Sequence, residues 1–302
     1  MNQLLFWILF NLFVLAMLAV DLWVFNRPAR EVRLHQAVAW SVTWIALAAA
    51  FAVLVYFWRG RDSALEFTAG YIVELSLSVD NLFLFLVIFR YFRVPAELQH
   101  KVLFWGIIGA LVMRGAFIVL GITLIQTFHW VMYAFGAFLV YSGIQLFRKK
   151  EMGIEPERNP VLRVLRRSVP VTENYEGEAF FIRRAGLYAT PLVIVLLVVE
   201  TTDLLFATDS IPAVLAITLK AFIVYTSNVF AVLGLRSLFF VLASMMEIFH
   251  YLHYGLSVVL IFIGAKMLVS DYYRISTGTA LAVVAAVLLI SVLASVAAPK
   301  KT

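Results

Sequence analysis

Val73-Glu74-Leu75-Ser76-Leu77-Ser78-Val79-Asp80-Asn81 sets two acids and an amide inside a long apolar run. Further on, Glu200-Thr201-Thr202-Asp203-Leu204-Leu205-Phe206-Ala207-Thr208-Asp209-Ser210-Ile211-Pro212 does the same with three acids. Outward from either stretch, the flanking residues stay apolar for long enough to cross a lipid bilayer. A carboxylate at the centre of a bilayer costs about 2.5–3.5 kcal/mol on insertion scales. Five of them in two segments imply a task, and holding a cation in transit is the task that fits.

Of the 302 residues, 63% are hydrophobic and only 14% charged, with a mean hydropathy of +0.95. A soluble domain is far more polar. Apolar runs of about 18 residues or more recur along the chain, which predicts an all-α, polytopic transmembrane helical bundle forming one membrane domain over 1–302. At roughly 20 residues per crossing, about nine spans are expected. They fall near 4–25, 38–58, 66–90, 102–125, 129–147, 189–218, 222–246, 251–269 and 278–298. The first lacks a basic leader and an A-x-A cleavage site, so it is expected to be a retained helix. There is no cysteine, which excludes disulfides, thiolate metal sites and thiol redox chemistry.

The net charge of +6 reflects arginine and lysine crowded on one side of the membrane, not a nucleic-acid surface. Arg27, Arg30 and Arg33 follow span one, and Arg90, Arg93 and Lys101 follow span three. Nine basic residues from Arg148 to Arg184 lie in the loop 148–188, and Lys300 and Lys301 end the chain. If the spans alternate, all these share one face, leaving Arg59, Arg61, Lys220 and Arg274 on the other. The positive-inside rule then puts the N-terminus outside and the C-terminus inside, in the cytoplasm. Val161, Leu162 and Leu165, interleaved with Arg163, Arg166 and Arg167, predict a short amphipathic helix on the cytoplasmic headgroups, with a solvated linker as the alternative.

The two acidic stretches align. Glu74 and Asp80 match Asp203 and Asp209, each pair six residues apart and followed by a small polar residue, Asn81 or Ser210. The next span carries Arg114 in one copy and Arg236 in the other. The span after that carries Gly143-Ile144-Gln145-Leu146 or Gly264-Ala265-Lys266-Met267. Spans 3–5 therefore resemble spans 6–8. Three crossings per copy is an odd number, so the second copy enters the membrane from the opposite side. That is an inverted repeat, and transporter sites commonly lie at the interface of such repeats.

Glu200 and Asp203 share a helix face, but residues six apart point about 120° away from each other. Both acidic helices are therefore expected to loosen, helped by Ser76 and Ser78 in the first and by Pro212 in the second, which leaves the Thr208 carbonyl without its donor. The expected ligands are hard oxygens from Glu74, Asp80, Asn81, Glu200, Asp203, Asp209 and Ser210. No histidine lies mid-span, so Mn²⁺, Ca²⁺ and Mg²⁺ fit best. Arg114, Arg236 and Lys266 are expected to neutralise or orient the acids. Five buried anions against three cations leave two negative charges, enough for one divalent ion. Asp21 reads as structural, and Glu247-Ile-Phe-His250 as a solvated turn. No glycine-rich phosphate loop is present, so ATP is not expected to act on this chain. No nucleophile and base lie together, and no prosthetic cofactor is called for, so no enzyme is expected.

These residues resemble the TerC family of integral membrane proteins, close to its Alx-type members. The likeness lies in Gly70-Tyr71-Ile72-Val73-Glu74 through Asn81, Tyr188-Ala189-Thr190-Pro191, Glu200 through Ala213, Thr226-Ser227-Asn228 and Leu233-Gly234-Leu235-Arg236. It implies about nine spans, kinship to the lysine-exporter superfamily and divalent-metal traffic. Alx-type members are associated with manganese export and alkaline response. Carried over, the family's acids fall on Glu74, Asp80, Glu200, Asp203 and Asp209. The expectation is an inner-membrane Mn²⁺ exporter with its site between spans 3 and 6. Its partners are the lipid bilayer and a divalent cation, proton uptake offsets the outward charge, and the oligomeric state is open. The alternatives are a Ca²⁺ or H⁺/Na⁺ carrier of the same architecture, or a membrane scaffold that helps metallate or assemble exported proteins.

Overall fold

Backbone amides in lipid have no water to turn to, so an apolar segment must close its hydrogen bonds within itself as a helix. The computed structural model describes residues 3–25, 34–148, 162–163, 169–183, 186–245, 252–273 and 275–297, with the side chains of 3, 21–25, 80, 244–245 and 296 outside that set. Helices account for nearly all of it: α1 (Gln3–Phe25), α2 (Leu34–Arg59), α3 (Arg61–Tyr91), α4 (Ala96–Thr127) and α5 (Trp130–Arg148), then α6 (Pro191–Leu215), α7 (Ala221–Met245), α8 (Leu252–Leu268) and α9 (Thr277–Ala297). Among the described residues, seven of these are long and apolar enough to cross a membrane, while α1 and α8 contribute the shorter apolar stretches Leu4–Val20 and Leu252–Leu268. This is an all-α polytopic membrane protein.

Chain punctuation sets the ends. Gly60, alone between α2 and α3, has φ 84°, a left-handed turn that glycine makes at little cost. Pro191 opens α6, where its missing N–H would have had no partner in any case.

The most enclosed spans are α7 and α3, whereas α2 and α9 leave most of their surface to lipid. α3 packs against α7, α6 against α4, α5 against α8, α3 against α6, and α4 against α7. The α5–α8 crossing is the closest. A Cβ on Gly264 would lie 2.6 Å from the Gly136 carbonyl oxygen, and one on Gly143 would lie 2.8 Å from the Ser257 carbonyl oxygen. Small residues let backbones approach where hydrophobic burial offers no drive. Phe10, Phe51, Phe67, Phe222 and Phe230 knit α1, α2, α3 and α7 together, and Tyr225 donates to Asn11 at 2.8 Å to hold α1.

One sequence expectation is corrected. Neither acidic helix breaks: α3 and α6 are continuous over Arg61–Tyr91 and Pro191–Leu215. Ser76 and Thr208 bond back to the carbonyls of Ile72 and Leu205, each at 2.6 Å, without interrupting the ladder. Pro212 sits in the last turn of α6, where the lost hydrogen bond ends a helix instead of opening one. The stretch before α6 also holds a short strand pair. β1 (Phe181–Arg183) and β2 (Leu187–Ala189) form an antiparallel hairpin outside the spans, where the lipid constraint does not apply. The amphipathic helix expected near 161–167 lies, apart from 162–163, outside the described residues, as do the Asp21 side chain, Glu247, His250, Lys300 and Lys301.

The bundle is tied at both ends. At one end, Lys220 reaches Ser63 at 3.0 Å and the Glu66 carboxylate at 3.1 Å, while Thr218 donates to Glu66 at 2.9 Å, fastening the α6–α7 turn to α3. At the other, Tyr175 donates to the Phe92 carbonyl at 2.9 Å, Lys101 to the Glu178 carbonyl at 2.8 Å, and Thr190 to the Ala179 carbonyl at 2.7 Å. Burial pushes the Tyr175 phenol up to about 12, so it keeps its proton and remains a donor.

Candidate functional site

Glu74 on α3, Arg114 on α4 and Asp203 on α6 each lie near the middle of a span, and the packing of α3, α4 and α6 brings them together. Arg114 holds Asp203 in a fork, Nε to Oδ2 at 3.1 Å and Nη2 to Oδ1 at 3.0 Å. Its third arm, Nη1, donates to Glu74 Oε1. All three are sealed from solvent, with exposures of 1% for Arg114, 0% for Glu74 and 3% for Asp203. A planar guanidinium suits this job because its donors match carboxylate geometry two at a time. With all three groups ionised, the cluster carries one net negative charge, so it remains a place that favours a cation. Ser78, one turn along α3, offers a longer contact to Glu74 Oε1 at 3.4 Å.

Glu200 faces α4, as its spacing from Asp203 predicts. Its carboxylate lies over Gly109, in the space that a side chain there would occupy. Asp209, two turns along, turns to α5 instead and accepts from Ser142 Oγ at 2.8 Å. Lys266 reaches the Ala216 carbonyl at 3.1 Å, where the unpaired carbonyls at the end of α6 attract a cation. Arg236 and Asp203 line one small cavity, with Leu82, Gly106, Ile107 and Val199 among its other walls. The Asp80 side chain lies outside the described residues.

Buried polar atoms nearly always find a partner. Among the described residues, four within this region have none: Glu74 Oε2, Asn81 Nδ2, Glu200 Oε2 and Ser210 Oγ. Each belongs to a residue singled out in the sequence. The oxygens among them, with the Asn81 amide oxygen, are a hard donor set that matches Mn²⁺, Mg²⁺ or Ca²⁺ and not a soft metal. They do not form a ready-made cage. Among the described residues, no three histidine or carboxylate side chains are placed to hold a metal ion.

Sequence reasoning missed Ser142 and the role of Gly109. Ser142 immediately precedes Gly143, a residue of the α5–α8 repeat motif, so a signal was present. Gly109 had none beyond being a glycine in a span, because what fills its space comes from another helix.

A family model described as the integral membrane protein TerC family matches residues 59–302. The chain is 47% identical over 290 residues to the uncharacterized membrane protein STKORF319 of Myxococcus xanthus, covering 96% of this chain and 91% of that protein. It is 44% identical over 299 residues to Alx of Escherichia coli K12, whose name offers it as a candidate membrane-bound redox modulator, covering 95% and 92%. A membrane protein of Rickettsia bellii is 38% identical over 291 residues, covering 96% of each chain. No solved structure gives a significant match. The match over residues 59–302 and these relatives along nearly the whole chain show that the chain belongs to the TerC family of integral membrane proteins.

Proposed function

We propose that this chain is a bacterial inner-membrane carrier that moves a divalent cation, Mn²⁺ first among candidates, out of the cytoplasm through an acidic site between α3 and α6. The observation that carries the proposal is the set of buried, partnerless polar atoms on Glu74, Asn81, Glu200 and Ser210. Leaving such atoms unpaired in a dry interior costs about 1–3 kcal/mol each, and for the oxygens of Glu74, Glu200 and Ser210 a cation drawn into the site would offset that cost. Asp203 and Asp209 complete the acidic lining, and Asp80 is assigned to it from the repeat.

The helix pairings support the inverted repeat. Exchanging α3, α4 and α5 with α6, α7 and α8 turns the α3–α7 contact into α6–α4 and returns the α5–α8, α3–α6 and α4–α7 contacts to themselves. All four kinds occur. Rocking of one triplet against the other gives alternating access, with nine crossings, the N-terminus outside and the C-terminus inside. Outward movement of charge against an inside-negative potential is opposed by about 2.3 kcal/mol per charge per 100 mV. Proton uptake by an acid outside the Arg114 fork, Glu200 or Asp209, offsets it. The redox role in the name of the Alx relatives does not extend to thiol chemistry here, since this chain has no cysteine.

The test is Mn²⁺ flux in proteoliposomes with wild type, Asp209→Asn and Glu200→Gln, under an imposed pH gradient, with Ca²⁺, Mg²⁺ and Na⁺ as competitors. Flux in wild type that both substitutions reduce at least tenfold is the expected result. Equal flux in all three refutes the site, preference for Ca²⁺ or Na⁺ refutes the ion, and indifference to the gradient refutes proton coupling.

A further inference from the structure

The acid pair best placed to grip a dication already has an occupant. Glu74 and Asp203 approach from facing helices, yet Arg114 spends three N–H groups on them. A divalent ion cannot take both carboxylates while the guanidinium stays. Arginine does not lose its proton, so it must move, and a buried guanidinium needs another anion to move to. One lies on the same face of the same helix. Glu200 is three residues before Asp203, about 5–6 Å away on the helix surface. Its carboxylate keeps a buried oxygen, Oε2, with no partner among the described residues, and Gly109 leaves it room beside α4.

We propose that Arg114 is a tethered cation that fills the Glu74–Asp203 pair when no ion is bound, and that a dication loads by sending the guanidinium one turn along α6 to Glu200. This rests on the carrier reading above and adds a return step to it. An empty pair of carboxylates is costly to bury, so a carrier that has released its ion is stranded unless another cation replaces it. Arg114 supplies that cation from within the chain. The loaded state holds the ion on Glu74 and Asp203 with Arg114 on Glu200. In the empty state Arg114 keeps both carboxylates through the three contacts described above. No covalent bond is made or broken in the exchange: the guanidinium hydrogen bonds to Glu74 and Asp203 give way to metal–oxygen contacts.

The experiment uses the full chain in proteoliposomes, with Mn²⁺ as the probe. Equilibrium binding is followed by loss of the free Mn²⁺ paramagnetic signal, and net efflux is measured separately from Mn²⁺/Mn²⁺ exchange. Arg114→Gln removes the competitor, so it should bind Mn²⁺ at least tenfold more tightly, keep exchange and lose net efflux. Arg114→Lys, a point charge that grips less well, should bind two- to fivefold more tightly and recover part of the net efflux. Glu200→Gln should weaken binding at least fivefold in the wild-type background and leave it unchanged in Arg114→Gln.

Wild-type transport combined with unchanged or weaker binding in Arg114→Gln overturns the tethered-cation role and leaves Arg114 a fixed tie. If Arg114→Gln does not fold, Arg114→Lys decides by the same comparison. A Glu200→Gln penalty that persists without Arg114 overturns the hand-over and makes Glu200 a direct ligand. Absence of Mn²⁺ binding and flux in wild type and every variant overturns the carrier reading itself, and this inference with it.

Discussion

Gly109→Ala is the sharpest small test of the site. A Cβ at 109 would meet the Glu200 carboxyl group, whose two oxygens and carbon are its three nearest neighbours. To regain the roughly 3.5 Å separation of non-bonded atoms, that carboxylate has to retreat by about 1 Å or more. The obstacle is the end of a flexible side chain and not backbone, so the fold should lose only about 1 kcal/mol, the low end of over-packing costs. The site should lose more. With Glu200 pushed out of register, half-saturation for Mn²⁺ should rise about tenfold, equivalent to about 1.4 kcal/mol. The assay is concentration-dependent Mn²⁺ flux in proteoliposomes for Gly109→Ala, Glu200→Ala and the double variant. Because both single changes act on one carboxylate, the double should be no worse than Glu200→Ala alone. Wild-type half-saturation in Gly109→Ala, or losses that add in the double, would refute the placement of Glu200 against Gly109.

Gly264→Leu should lower stability by about 1–3 kcal/mol, because even its Cβ meets the Gly136 carbonyl oxygen at 2.6 Å. Gly278→Ala, with nothing within 4 Å, should melt as wild type, and tryptophan-fluorescence melts in detergent compare them. Ser142→Ala removes the 2.8 Å donor to Asp209 and should cost about 1 kcal/mol, seen as a several-fold higher half-saturation for Mn²⁺ that Ser142→Thr restores; no change would place Asp209 outside the working site. Tyr175 binds its proton more tightly in the fold than in the unfolded chain, with the folded value near 12 against an ordinary value of about 10. Its contribution is therefore complete below pH about 10 and lost as pH rises toward 12. The protection of the 169–183 amides, taken relative to the base-catalysed intrinsic exchange rate, should be flat below the lower limit and fall above it, and Tyr175→Phe should abolish that step.

Much of this protein was determined by sequence alone because the bilayer makes the rule local. A run of apolar residues long enough to cross must be helical wherever it lies, so the span expected at 129–147 is the helix Trp130–Arg148, and the one at 222–246 is Ala221–Met245. The acids were legible for the same reason, since carboxylates in such runs stand out by their cost. The shared face of Glu200 and Asp203 followed from helix periodicity. Only the tertiary structure decided who pairs with whom. Nothing in the sequence tied Arg114 to one acid of the bundle, and the α3–α4–α6 packing gives it Glu74 and Asp203 together. Asp209 takes its donor from α5, and Glu200 settles against a glycine of α4. Such pairings depend on which helix faces meet and at what distance, and a span's own apolar length carries no record of its neighbours. The continuity of α3 and α6 was decided at that level too, because an intact hydrogen-bond ladder within each helix outweighs a proline in the last turn and serines that bond back one turn.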